Sequence, residues 1–337
     1  MAKEENYPSY KNVIKQILNS SEASIRYKIL VNVLGKKLSS KEVSDTQQEI
    51  KESLRVKALL SEQIENGEIP YYAYAKWYGA HWVLAALADI GYPSGDKSLE
   101  PLVAQELKWI LSPAHTEHVR LIAGRYRRCG SQEGNALYTL LTLGFGGDGC
   151  DQIADNLIKW QWDDGGWNCD KKPEAKNSSF HETILPLRSL SLHARLTGNK
   201  KSKEAAERAA EIFLKRRLFR KLSDGTIIRP DFVKLHYPCY WHYDFLFGLK
   251  VMAEAGFIHN KRCNEALDLL ESKRLPDGGF PAESKYYHFI GVKTKERKSG
   301  ASLVKWGAIS TKKMNEFVTA DVLYVLKASG RLSTIVD

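Results

Sequence analysis

Histidines, carboxylates, cysteines and aromatic residues fall in short bunches along this 337-residue chain. Glu22 and Arg26 stand first, then Lys76, Trp77, His81 and Trp82, then Arg127, Arg128, Cys129, Gln132 and Glu133. Cys169, Asp170, His181 and Glu182 follow, then the run from His236 to Asp244, and finally Glu316, Thr319 and Asp321. Acid–base chemistry needs a group that titrates near neutrality and a neighbour that orients it, and a histidine beside a carboxylate meets both needs. His181 and Asp244 are therefore the leading catalytic candidates, with His242 beside them and Glu133 opposite. Trp77, Trp82, Trp167, Tyr240, Trp241 and Tyr243 offer ring faces that can wall an apolar cavity or steady a cation. His81, Asp170, Glu182, His236 and Glu316 are read as further substrate contacts. Arg127 and Arg128 suit a diphosphate. The plainer reading of the acidic and hydroxyl residues in these bunches is helix capping.

Metal chemistry is a second expectation. In His236-x2-Cys239-x2-His242, a helix starting at Pro238 would put Cys239 and His242 on one face. Cys169, with Asp170 and His181 from the preceding bunch, could complete a zinc site with them. The run Gly144-Phe-Gly-Gly-Asp-Gly149 matches a dinucleotide fingerprint in letters only, because a helix and not a strand precedes it.

The elements that must position these groups are helices. Six apolar segments each end at a glycine, at positions 35, 91, 144, 198, 256 and 330, in steps of 56, 53, 54, 58 and 74 residues. A glycine just past a helix end takes the left-handed turn there, so the repeat is one of helix termini. Between these segments lie polar stretches with a single apolar stripe, at roughly 42–64, 100–112, 150–161, 202–219 and 261–274. Inner helices touch neighbours on all sides and outer ones keep a wet face. Five outer helices for six inner ones leave a gap, and Tyr10 to Leu18 is predicted to fill it. The expected fold is all-α: one domain over residues 1–337, an α/α toroid of six hairpins closed by the N-terminal helix.

A second repeat leads into the inner helices. Trp162-Asp-Asp-Gly-Gly-Trp167 and Leu275-Pro-Asp-Gly-Gly-Phe280 are its clear copies and Ser223-Asp-Gly-Thr226 a degraded one. With the Gln161-Trp162 lead-in, this pattern resembles the QW repeat of squalene cyclases and protein prenyltransferase β-subunits. The resemblance implies an α/α toroid, which agrees with the helix count. It implies neither family's catalysis: no Asp-x-Asp-Asp run is present, and Asp148-Gly-Cys150, the nearest match to the prenyltransferase zinc pair, opens an outer helix at the opposite end.

Composition bounds the rest. Apolar residues make up 43% and charged residues 27%, enough to build a core. Mean hydropathy is −0.39, and no apolar run is long enough for a membrane span. The first residues carry no apolar signal segment, and five scattered cysteines suit a reducing cytoplasm. The net charge of +10 gathers at Lys215 to Lys221 and Lys293 to Lys298 with no nucleic-acid-binding motif, so no nucleic-acid partner is expected. The leading functional expectation is an enzyme like the terpenoid cyclases and prenyltransferases, holding an isoprenoid or other apolar small molecule. A glycan lyase or hydrolase on the same toroid, and a non-catalytic binding or scaffold protein, are the alternatives.

Overall fold

The computed structural model describes residues 8–292 and 297–332; positions 293–296 of the second basic cluster lie outside it. In chain order the helices are α1 (Tyr10–Leu18), α2 (Ala23–Lys28, extended by a π-helical turn at Ile29–Val33), α3 (Lys41–Glu52) and α4 (Leu54–Leu59). Next come α5 (Ala80–Asp89), α6 (Glu100–Ile110), α7 (Pro113–Thr116), α8 (Gly130–Thr142) and α9 (Asp148–Trp160). The last five are α10 (Phe180–Thr197), α11 (Lys200–Leu214), α12 (Phe245–Glu254), α13 (Asn264–Glu271) and α14 (Glu316–Ala328).

The apolar helices form the inner ring. α5 packs on α8, α8 on α10, α10 on α12, α12 on α14, and α14 returns to α2. α2 joins α5 through Lys28 and Asp89, whose Nζ and Oδ2 lie 3.1 Å apart. The striped helices α3, α6, α9, α11 and α13 each back onto the inner helix before them. α1 takes the sixth outer place: Arg274, just past α13, covers the Tyr10 ring at 3.9 Å and donates to the Pro8 carbonyl. An α/α toroid is therefore the fold, its inner ring joined by five helix contacts and, between α2 and α5, by the Lys28–Asp89 ion pair. All six terminal glycines have φ between 67° and 83°. At Gly91 the requirement is also steric, since a Cβ there would stand 2.2 Å from the Tyr27 ring.

The two lead-in loops are built alike. The Trp162 amide donates to the Gly166 carbonyl at 2.8 Å, and the Leu275 amide to Gly279 at 2.9 Å. The Trp167 amide then donates to Thr183 Oγ1 and the Phe280 amide to Thr319 Oγ1, at 3.2 and 2.9 Å. Gln161 Nε2 bonds the carbonyls of Gly165 and Ala205, tying its loop to α11. Trp167 and Phe280 are fully buried wedges between hairpins. The insertion of residues 281–315 between the second loop and its helix accounts for the long 74-residue step.

Two short strand pairs depart from the all-helical expectation. β1 (Arg120–Ile122) and β2 (Arg125–Arg127) form a hairpin, and β3 (His288–Phe289) pairs in parallel with β4 (Ala301–Ser302) in the insertion. Ala123 and Gly124 both turn with positive φ, the geometry that joins a two-residue hairpin. Among the described residues no helix is long and apolar enough to cross a membrane.

Ile17 of α1 is fully buried in the core. Ile17→Ala should lower stability by about 2–5 kcal/mol, the usual cost of emptying such a site, as read by chemical denaturation. An unchanged midpoint would mean that α1 does not close the ring in solution.

Candidate functional site

Each inner helix is apolar, yet most carry charge to the ring axis. Lys28 of α2, Asp89 of α5, Lys250 of α12 and Asp321 of α14 form a closed square of alternating sign. Its four N–O edges measure 3.1, 3.2, 3.3 and 2.9 Å. Tyr237 adds a hydroxyl hydrogen bond to Asp89. Beside the square, Arg188 of α10 bonds both oxygens of Glu254, and the guanidinium lies 3.6 Å from the centre of the Tyr138 ring of α8. Burial disfavours the Asp89 carboxylate, but Lys250 and Lys28 outweigh it and hold the group far below the usual range. Burial likewise lowers Lys250, and Asp321 and Asp89 more than reverse it.

This ionic cluster floors a central cavity of about 80 Å³, room for several waters or a small organic group. Trp82, Tyr240, Trp306 and Phe247 wall it. Tyr240 holds φ at 51°, unusual for a side-chain-bearing residue, and its ring stacks on Trp77 at 3.9 Å. Asn135 reaches the cavity from α8, held from behind by a buried relay. Its amide lies 2.9 Å from His81 Nε2, and His81 Nδ1 lies 2.7 Å from Glu106. If the amide donates, Nδ1 carries the proton, a tautomer assigned from these bonds.

His236 and Asp244 complete the wall. Asp244 caps α12, accepting the Phe247 amide at 2.8 Å through Oδ1. Its Oδ2 accepts the His236 amide at 2.8 Å and lies 3.1 Å from His236 Nδ1. Nδ1–H donation to Asp244 leaves Nε2 with a lone pair, and His236 is among the residues that line the cavity. Both residues are buried, and Tyr286 of the insertion stacks on the imidazole at 4.3 Å.

Of the residues singled out in the sequence, Trp82, His236, Cys239, Tyr240, Asp244 and Asp321 line this cavity. Asp244 is paired there with His236. His181 instead opens onto a groove with Ser178, Arg229 and Phe232, and burial lowers it to about 4. His242 is sandwiched between Trp241 and Tyr286, at 4.0 and 3.7 Å, and burial lowers it to about 3. Trp77 donates to the Tyr286 carbonyl, while Tyr243 and Trp167 are core residues bonded to the carbonyls of Leu218 and Leu157. Arg127 sits on β2 and not on an inner helix, donating to the carbonyls of Ala175 and Ile122. Arg128 Nε donates to Glu133 Oε1 at 2.6 Å. Asp170 is an exposed turn residue, and Glu316 accepts from Ser20.

The expected zinc set does not assemble. α12 starts at Phe245 because Asp244 caps it, so Cys239 and His242 lie in a preceding turn and not on a helix face. Cys239 Sγ turns to Asp244, whereas Cys169 Sγ lies 3.5 Å from Glu182. Among the described residues, Cys129, Cys169 and Glu182 do gather, with one ligand atom of each within 4.8 Å of the others.

No family model and no curated protein matches this chain. Among solved structures, a protein from Actinoplanes shares 15% identity over 95% of this chain and 97% of its own, with a TM-score of 0.44. The type II terpene cyclase MstE from Scytonema shares 14% over 92% and 88%, at 0.42. A family 88 glycosyl hydrolase from Bacteroides vulgatus shares 11% over 96% and 95%, at 0.41.

Two outcomes test this site. Lys250→Met leaves Asp89 and Asp321 each short of a buried cation, and should cost about 3–5 kcal/mol in denaturant unfolding. A loss under about 1 kcal/mol would match an exposed pair instead. Glu133 is the second case: burial pushes its carboxyl from 4.5 up to about 7 against the pull of Arg128. Folding thus favours its protonated form, so this contribution is full below about pH 4.5 and fades as pH rises through about 7. Glu133→Gln should therefore gain in melting temperature relative to wild type between those limits, and a constant difference would show an unshifted carboxyl.

Proposed function

We propose that this protein is an enzyme that performs acid–base chemistry on a small hydroxylated molecule, of about the size of one sugar ring, in the central cavity. The observation that carries the reading is the His236–Asp244 pair in the wall of a cavity with a charged floor. Asp244 fixes the imidazole with Nδ1 as the donor, so the lone pair on Nε2 serves as the base. Substrate hydroxyls can replace the hydration of Asp89, which is one-quarter exposed, and can bond the Asn135 amide. Trp82 and Tyr240 are aromatic lining residues against which the apolar side of a sugar ring can pack. The glycan lyase or hydrolase class fits these demands.

A second reading keeps the isoprenoid substrate, and the aromatic walls favour it: Trp82, Tyr240, Trp306 and Phe247 make the upper cavity apolar. A hydrocarbon reaching the floor would strip water from the Asp89 carboxylate without replacing its hydrogen bonds, at a cost above the roughly 1–3 kcal/mol of a neutral polar group. That weighs for the hydroxylated substrate.

Thermal-shift screening of neutral and acidic mono- and disaccharides against prenyl diphosphates separates the two. A saccharide should stabilise the protein, and turnover of that hit should fall at least a hundredfold in His236→Ala with helical content intact, in line with loss of a general base. Stabilisation by prenyl compounds alone would overturn the reading, as would full turnover in His236→Ala.

A further inference from the structure

We propose that Cys129, Cys169 and Glu182 form a zinc site at the rim of the ring, between the third and fourth hairpins and outside the central cavity. The three come from separate segments: the residue preceding α8, the lead-in loop, and the first turn of α10. None of them lines the cavity.

The backbone brings the two sulfurs together. The Arg128 amide donates to the Asn168 carbonyl at 3.2 Å, so the residues just before each cysteine are hydrogen-bonded to one another. Gly130 permits the approach: a Cβ there would stand 2.9 Å from Trp167 Cγ and 3.0 Å from the Glu182 carbonyl oxygen. The Ser131 amide holds Glu182 Oε2 at 3.1 Å, which turns Oε1 toward Cys169 Sγ, 3.5 Å away. Glu182 is buried and both cysteines are half-buried. The donor set is thus fixed by main-chain contacts on both sides before any ion arrives.

Its chemistry selects the ion. Two thiolates and one carboxylate favour zinc over magnesium or calcium, and three protein ligands leave the fourth tetrahedral position for water or a substrate atom. With both thiols ionised the ligands carry three negative charges, so the zinc complex keeps one. The nearby Arg128 guanidinium offsets it, acting on both Cys129 and Glu182. Cysteines bind zinc as thiolates, so loading the site releases their thiol protons to solvent. Cys150 and Cys263 are plain buried thiols pointing at the carbonyls of Phe145 and Phe257.

The test uses the reduced full-length chain, with zinc stoichiometry read by elemental mass spectrometry after desalting and cobalt(II) alone as an optical probe. One zinc per chain is expected, with sulfur-to-cobalt charge-transfer absorption and two thiols shielded from alkylation. Cys129→Ser and Cys169→Ser should each weaken cobalt binding at least tenfold, while Cys150→Ser should not. Absence of bound zinc and of the charge-transfer band in the wild-type protein would overturn the site, whatever the variants do. So would a Cys129–Cys169 disulfide that resists reduction, or equal loss in the Cys150→Ser control.

Discussion

Four charges held away from bulk water at the centre of the ring set the terms for everything around them. Lys28, Asp89, Lys250 and Asp321 are each tolerable only while the others are in place, because an unpaired ion in that interior costs several kcal/mol. Such a square is not the cheapest way to stabilise a core, and well-packed apolar side chains often do as well. What it gives is direction. Inner helices with interchangeable leucines can slide or rotate, whereas a lysine that must meet two aspartates fixes height and rotation together. The cavity lies where packing stops above this floor, so its position follows from the same constraint.

The lead-in loops solve a different problem. Each hairpin must meet the next at a set angle, and a fully buried ring, Trp167 in one case and Phe280 in another, fills the wedge between them. The threonine that accepts the wedge residue's amide is sixteen residues on in the first copy and thirty-nine in the second. The joint survives an insertion because its two halves belong to rigid neighbours. That freedom lets the insertion bring Tyr286 against His236 and Trp306 into the cavity wall.

The helical ring was legible because glycine termini and apolar stripes are local signals that recur. The QW-like loops were legible as turns for the same reason. The site was only partly so. Position alone groups Asp244 with His181, since both stand near inner-helix starts, whereas in the structure Asp244 meets His236; sequence cannot say which histidine a cap will meet. Pro238 suits a first helical turn and so suggests a helix carrying Cys239 and His242, but the cap at Asp244 starts α12 later. The charge square leaves a fainter signal in the sequence. Asp89 ends Ala-His-Trp-Val-Leu-Ala-Ala-Leu-Ala-Asp, and Lys250 interrupts Phe-Leu-Phe-Gly-Leu-Lys-Val-Met. A lone charge in an otherwise buried helix demands a partner, and asking where each would find one leads to the axis.

The lysine on α2 and the aspartate on α14 are separated by 293 residues of chain. A linear array of hairpins can be assembled piece by piece, each unit resting on the last. Here the intermediate lacking only its final helix would leave two ammonium groups facing one carboxylate, at the point where most other surface is already buried. Partial rings are therefore penalised most heavily just before completion. The chain should behave as a single cooperative unit despite its repeats, with the two ends committing together.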